Sequence, residues 1–411
     1  MAVIRPFRAL RPTAVAASAV AAVPYDVVST EEARSLAAGN PLSFLHVSRA
    51  EIDLPIDSDP HDPKVYAQAA HNLATLTDAA PLVVEAEPSL YLYRLRAPGH
   101  EQIGLAGCFS LDEYDRNVIK RHERTRRDKE DDRTCHMMTL GAQTGIVFLA
   151  YRADAVIEEV SIRGAAVVPL LDVSAPDGVR HTLWRLPPDD AATVIAAFDR
   201  VPSVYIADGH HRIASAARAR DQMASGDSSA ESHYFLGVAF PDTQTRILPY
   251  NRTVADLGGQ TVGEFLEALG AHFPVTPNGS APPPKGQIAM YLGANWHRIN
   301  LEPVRSAMRI NGGSPVTQLD VAILQGHVLA SLLGVADIRS DPRVTFVGGA
   351  RGGTRALEHA VDSGAAAVAF SLAAVTPAEL LAVSDAGDIM PPKSTWFEPK
   401  LRDGLLIHPL L

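Results

Sequence analysis

Val204-Tyr205-Ile206-Ala207-Asp208-Gly209-His210-His211-Arg212 runs straight into Ile213-Ala214-Ser215-Ala216-Ala217-Arg218-Ala219-Arg220. An apolar run, a short polar elbow and an alanine-rich stretch read as strand, turn and helix. The elbow delivers a carboxylate, two imidazoles and a guanidinium to one helix N-terminus. First-turn amides have no partner within the helix and carry partial positive charge, so such a point suits a phosphate. Arg212 can grip an anion through two parallel hydrogen bonds. Asp208 or His210 can move a proton. A plainer reading of the same residues makes Asp208 an N-cap and turns both histidines to solvent.

Outward from the elbow, strand-like and helix-like stretches alternate along most of the chain. Helices are expected over Tyr66–Thr77 and Asp189–Phe198, and strands over Leu42–Val47, Ser89–Leu95, Gly104–Phe109, Gly145–Tyr151 and Tyr234–Phe240. The fold class is therefore α/β, with an α+β mixed sheet. A proline-rich run, Thr276–Pro284, reads as a loop or linker. Beyond it come a hairpin at Gln287–Leu292 and His297–Leu301, a helix over Leu319–Leu333 and a buried strand at Ala366–Leu372. The chain divides on this reading into residues 1–255 and 256–411, the last segment of the second part returning to the site.

With 411 residues and 20% charged side chains, the chain is long enough for two or three domains of ordinary composition. Its net charge of −10 disfavours nonspecific binding to nucleic acid or to an anionic membrane. Two cysteines cannot form a disulfide framework, and a cytoplasmic location is the simpler expectation. Arg5, Arg8 and Arg11 precede an Ala/Val run at 14–23. That run lacks leucine and flows into Pro24-Tyr25-Asp26, so it is read as part of the fold rather than a secretory signal. No apolar run is long enough for a membrane span.

Two further stretches carry chemistry. Ser110-Leu111-Asp112-Glu113 fits a capping box, predicting a long helix through His122 and beyond Arg133. On that helix His122, Arg126, Lys129 and Arg133 share a face and form a cationic stripe suited to polyphosphate. The same residues also support i,i+4 ion pairs on a solvated face: Glu123 with Arg127, Arg124 with Asp128, Arg126 with Glu130. Near the C-terminus, Met390-Pro391-Pro392-Lys393-Ser394-Thr395-Trp396-Phe397 is a loop offering Lys393, Ser394 and Thr395 to an anion, or a turn packed by its aromatic pair.

The glycine-rich run Gly348–Gly353 matches neither the Walker pattern nor the dinucleotide fingerprint, and reads as a surface loop. No His-x-x-x-His or Cys-x-x-Cys pair occurs, so no metal held by protein ligands alone is expected. Magnesium carried mainly by a substrate's phosphates is compatible. Cys108 reads as a small core residue.

Several segments together resemble a widespread, conserved bacterial family of unknown function. They are Arg5-Pro6-Phe7-Arg8-Ala9-Leu10-Arg11-Pro12, Pro24-Tyr25-Asp26-Val27, Arg121-His122-Glu123-Arg124-Thr125, Ala207–Arg212 and Met390–Thr395, and the resemblance runs nearly end to end. The elbow also resembles the phosphate-binding turn of the ParB/sulfiredoxin-like superfamily, above all that of its free-serine kinases. That resemblance implies a ParB/sulfiredoxin-like core with an additional C-terminal α/β region, and a polyphosphate held by Asp208, Gly209, His211 and Arg212. The kinases' catalytic glutamate has no aligned counterpart here, and Asp26 and Glu123 are the candidates.

The implied activity is phosphotransfer to a small hydroxyl metabolite such as serine. ATP, ADP or pyrophosphate would be the donor and Mg²⁺ the counter-charge. The alternatives are a phosphoserine-type phosphatase or a non-catalytic nucleotide-binding switch of the ParB type.

Overall fold

The computed structural model describes residues 2–79, 81–223, 227 and 230–410. They form two compact units that interleave along the chain. Unit 1 comprises the residues up to Arg121, Thr125–Thr245 and the segment from Pro399 on; unit 2 comprises His122–Arg124 and Arg246–Glu398. The sequence reading cuts the chain once, at 255/256. The contacts instead pass from unit 1 to unit 2 after Thr245 and bring the last segment back to unit 1.

Unit 1 is built on a nine-stranded mixed sheet. Its strands are β1 (Ile4–Arg5), β2 (Tyr91–Ala97), β3 (His100–Ser110), β4 (Ile119–Lys120), β5 (Val147–Tyr151), β6 (Leu171–Ser174), β7 (Arg180–Arg185), β8 (Val204–Asp208) and β9 (Tyr234–Pro241). The order is β4-β8-β5-β9-β3-β2-β7-β6, with β1 also against β3. Two pairings are parallel, β8 with β4 and β9 with β5, and the others are antiparallel. The strand preceding the elbow, β8, is buried over its first four residues because it lies between two neighbours.

The helices of unit 1 with five or more described residues are α1 (Thr30–Ala37), α2 (Pro63–Asp78), α3 (Leu111–Asp115), α4 (Arg127–Leu140), α5 (Ala155–Gly164), α6 (Pro188–Phe198) and α7 (His210–Met223). Ile157 and Val160 of α5, Val194 and Phe198 of α6, and Ile213 and Ala216 of α7 join strand residues such as Leu105, Leu149 and Ile206 in one core. The period-3.6 apolar pattern of these helices is what that core selects.

Two expectations fail here for physical reasons. Leu42–Val47 is not a strand: it is a turn leading into a helical turn at Leu45–Ser48, with Phe44, Leu45 and Val47 all buried. A short, largely buried run has too little periodicity to tell the two states apart. The long helix after Ser110 stops at Asp115. Ser110 makes no capping hydrogen bond, and Glu113, the expected partner in the box, accepts from Val3 N at 2.8 Å instead. Asn117 then takes φ 59°, and Val118 N closes the end on Glu113 O at 2.8 Å. The chain continues as strand β4, and α4 begins afresh at Arg127.

Unit 2 holds a six-stranded antiparallel sheet. Its strands are β10 (Tyr250–Val254), β11 (Val275–Pro277), β12 (Gln287–Leu292), β13 (Asn295–Asn300), β14 (Val344–Gly348) and β15 (Val368–Leu372), in the order β11-β13-β12-β15-β10-β14. The expected hairpin is β12–β13. The expected linker at Thr276–Pro284 starts inside strand β11. Its helices are α8 (Val262–Gly270), α9 (Glu302–Ile310), α10 (Gly353–Asp362) and α11 (Pro377–Asp385). Leu319–Leu333 is not one α-helix: an α-turn at Asp320–Ile323 widens into a π-helix over Leu324–Ala330. Among the described residues no helix is long and apolar enough to cross a membrane.

Candidate functional site

Gly209 makes the elbow possible. It joins β8 to α7 at φ +97°, a conformation side chains rarely adopt. A Cβ there would sit 3.2 Å from Arg212 Cδ and 3.4 Å from Val147 Cα. A Cβ on Gly145 would also meet Arg212 Cδ at 3.2 Å, so two glycines admit the arginine into the interior.

Arg212 is buried, and its guanidinium is committed inside unit 1. Nη1 donates to Ile146 O at 2.6 Å, and Nη2 donates to both oxygens of Asp26 at 2.9 Å. The guanidinium lies over the Tyr25 ring, 5.4 Å from its centroid, and Arg133 lies over the same ring at 4.3 Å. Burial would lower the Arg212 pKa, but Asp26 first, then Tyr25, Asp403 and Asp208, raise it. Its charge is therefore fixed. Burial, reinforced by Asp26, pushes the Tyr25 hydroxyl up to about 12, so Tyr25 is neutral. Arg133 is held by Asp132 at 2.8 Å. Asp132 also accepts from Tyr66 at 2.9 Å and pairs with His61 at 3.2 Å. Burial alone would raise the Asp132 pKa; Arg133 and these hydrogen bonds bring it below the usual range.

Asp208 stands at the last position of β8. Its Oδ2 accepts from Lys400 Nζ at 2.6 Å. Both side chains are partly exposed, 31% for Asp208 and 17% for Lys400, so solvent reaches the pair. His210 is buried. His211 Nε2 accepts from Arg126 N at 3.0 Å, which ties the start of α7 to the start of α4. The two helices are further laced by Ser215 Oγ to Glu130 O at 3.1 Å and by Arg218 to Glu130 and Asp131.

The cationic stripe does not exist as one helix face. His122 precedes α4 and belongs to unit 2, and Arg126 is the N-cap of α4. Arg126 pairs with Asp128 at 2.8 Å rather than with Glu130, and Arg127 approaches Asp131 at 3.7 Å. Neither expected pair at Glu123 or Arg124 can form across a helix that is absent there. Lys129 is exposed on α4, and Arg133 turns inward to Tyr25.

In unit 2, His122 is buried, its carbonyl accepts Met390 N at 2.8 Å, and its Nε2 lies 3.3 Å from Thr395 Oγ1. Glu123 is half-buried beside it in the chain. Ser394 Oγ donates to Pro391 O at 2.6 Å. Lys393 holds φ 55°, with its ammonium 5.9 Å from the Tyr250 ring centroid. His122, from the middle of one signature stretch, thus meets the stretch Met390–Thr395 inside unit 2, while Asp26 and Asp208–Arg212 meet inside unit 1.

Sequence reasoning missed Lys400 and Asp403 as members of the elbow. Asp403 is buried and electrostatically coupled to Arg212. Burial, partly offset by Arg212 and reinforced by Asp26, pushes its carboxyl up to about 7. The folded-state value lies above the unfolded one, so this group's stabilisation is complete below about pH 4 and is lost as pH rises through about 7. Asp403→Asn should therefore flatten stability between pH 4 and 8, a slope worth no more than about 4 kcal/mol. Urea midpoints measured across that range check it. A variant that keeps the wild-type slope would contradict it.

The family whose description reads "Protein of unknown function (DUF1015)" matches residues 4–322. The curated proteins give no match. Among solved structures, a conserved hypothetical protein from Pyrococcus furiosus is 14% identical, with a TM-score of 0.35 over 74% of this chain and 95% of that one. C-terminally truncated SbnI from Staphylococcus aureus is 13% identical, with a TM-score of 0.42 over 74% and 87%. A free serine kinase variant in complex with AMP is 13% identical, with a TM-score of 0.34 over 73% and 92%.

Proposed function

This chain belongs to the DUF1015 family of unknown function, and from its elbow we propose a phosphotransferase acting on a small hydroxyl metabolite such as serine. On this reading unit 1 is a ParB/sulfiredoxin-like core, and the donor is ATP, ADP or pyrophosphate. The observation that carries the proposal is the Lys400–Asp208 pair, 2.6 Å apart and solvent-reachable, at the start of α7. Phosphoryl transfer needs an attacking hydroxyl and a migrating anion side by side, with charge neutralised around them. A carboxylate and an ammonium one hydrogen bond apart provide for both. Asp208 orients the hydroxyl and takes its proton. Lys400, with the amides that open α7, holds the transferring phosphoryl.

Arg212 and Asp26 act from beneath. Their pair, buried on the Arg212 side, fixes the turn, so the amides of α7 and the Asp208 carboxylate keep their aim. Arg212 Nε and Asp403 Oδ2 are buried polar atoms with no hydrogen-bond partner among the described residues. Such atoms ordinarily find a water or a ligand.

The donor set suits magnesium, since Asp208 offers a hard carboxylate oxygen of the kind that joins phosphates around that ion. When bound, Mg²⁺ would neutralise phosphate charge. The test incubates purified protein with Mg²⁺, each of the three donors and serine or other small alcohols, and follows phosphoester formation by ³¹P NMR. A new phosphoester supports the proposal. Release of phosphate from phosphoserine with no acceptor would replace it by a phosphatase, and binding without turnover by a nucleotide switch.

A further inference from the structure

Unit 2 contains a cavity of about 520 Å³, within the range of small-molecule sites. Its lining includes the apolar residues Ile338, Ile389 and Met390 and two exposed arginines, Arg124 and Arg339. Among the described residues neither guanidinium has a hydrogen-bond or ion-pair partner. Both guanidiniums are therefore available to an anion, unlike that of Arg305 in the same unit, which Asp320 holds. The one acid on the lining, Asp337, already accepts Arg339 N at 3.0 Å.

Two features of the wall point to a ligand independently of the charges. Gln325 lines the cavity, and its Oε1 is buried without a hydrogen-bond partner among the described residues. A buried acceptor left so costs about 1–3 kcal/mol unless something donates to it. Gln325 belongs to the π-helix Leu324–Ala330, a rare form that is frequent at functional sites.

The lining segment Met390–Pro392 is anchored at its C-terminal end. Arg252, 1% exposed, donates through Nη2 to Pro392 O and Lys393 O, both at 3.1 Å. These bonds maintain the left-handed backbone of Lys393, a strain of order 1–3 kcal/mol that the surroundings must sustain.

We infer that this cavity binds a small amphipathic organic anion. Its charged head would pair with Arg124 and Arg339, its apolar body would lie against Ile338, Ile389 and Met390, and one N–H or O–H would donate to Gln325 Oε1. The residues all belong to unit 2 and none belongs to the elbow, so the inference stands or falls apart from the phosphotransfer reading.

The probe is 8-anilinonaphthalene-1-sulfonate, which carries an anionic head, an apolar body and an N–H. Its uncharged relative N-phenyl-1-naphthylamine serves as control. Fluorescence titration of the full chain is expected to show saturable sulfonate binding, and at least tenfold weaker binding in the double variant Arg124→Ala/Arg339→Ala. Binding of the uncharged relative should change less than twofold. Both arginines are exposed, so their removal leaves the fold intact, which a circular dichroism melt verifies. Gln325→Leu is expected to weaken the sulfonate at least threefold. Wild-type affinity for the sulfonate in either variant, or equal loss of both probes in the double variant, overturns the inference.

Discussion

Replacing Arg212 by alanine is expected to destabilise unit 1 by about 3 kcal/mol, the low end of what removing one partner of a buried ion pair costs. The low end applies because Asp26 is 38% exposed and water can partly replace the lost partner. The change strands the Asp26 carboxylate, leaves Ile146 O without its donor and removes the cation that offsets the burial of Asp403. Urea unfolding should show the midpoint falling with little change in slope. Adding Asp26→Asn to the variant should recover part of the loss, because the stranded charge is then gone. A coupling of at least 1 kcal/mol between the two sites is expected for residues in direct contact. Additive effects would mean that the pair does not hold the turn.

Lys400→Met is expected to have the largest effect on turnover, a loss on the order of a hundredfold or more, as for other groups that neutralise transition-state charge. Methionine retains the length and apolar stem of lysine, and Lys400 is partly exposed, so stability should change by less than about 1 kcal/mol. Asp208→Asn should lower turnover comparably while preserving the shape of the elbow. The two variants separate chemistry from folding, which Arg212 cannot do. Steady-state rates with a saturating donor, read beside melting curves, check the prediction. A Lys400→Met protein with wild-type turnover would remove the pair from the mechanism.

The elbow was legible because everything that makes it is local: a buried strand, a glycine that must take positive φ, and an alanine-rich helix within about twenty residues. Its partners were not. Lys400 and Asp403 reach the elbow from the far end of the chain, and Asp26 reaches Arg212 across 186 residues, a pairing that no periodicity encodes. Arg212 looked like an outward anion grip because its residue type allows it. Burial beside Gly145 and Gly209 decided otherwise.

The false helix after Ser110 shows the same limit. The pattern of a capping box was present, but Val3 N claimed Glu113. The widening of the helix at Leu324 left no trace in the apolar spacing. The mixed sheet class followed from the alternation of elements, whereas the interleaving of two units depended on contacts between segments far apart in sequence.

The proposed phosphotransfer requires a polyphosphate held at the elbow against Lys400. Isothermal titration of ATP, ADP and pyrophosphate, each with Mg²⁺, into the wild-type chain and the Lys400→Met variant tests it most directly. Saturable one-site binding of at least one of the three is expected, weakened at least tenfold by the substitution. Absence of binding by all three, or equal affinity in both proteins, would contradict it.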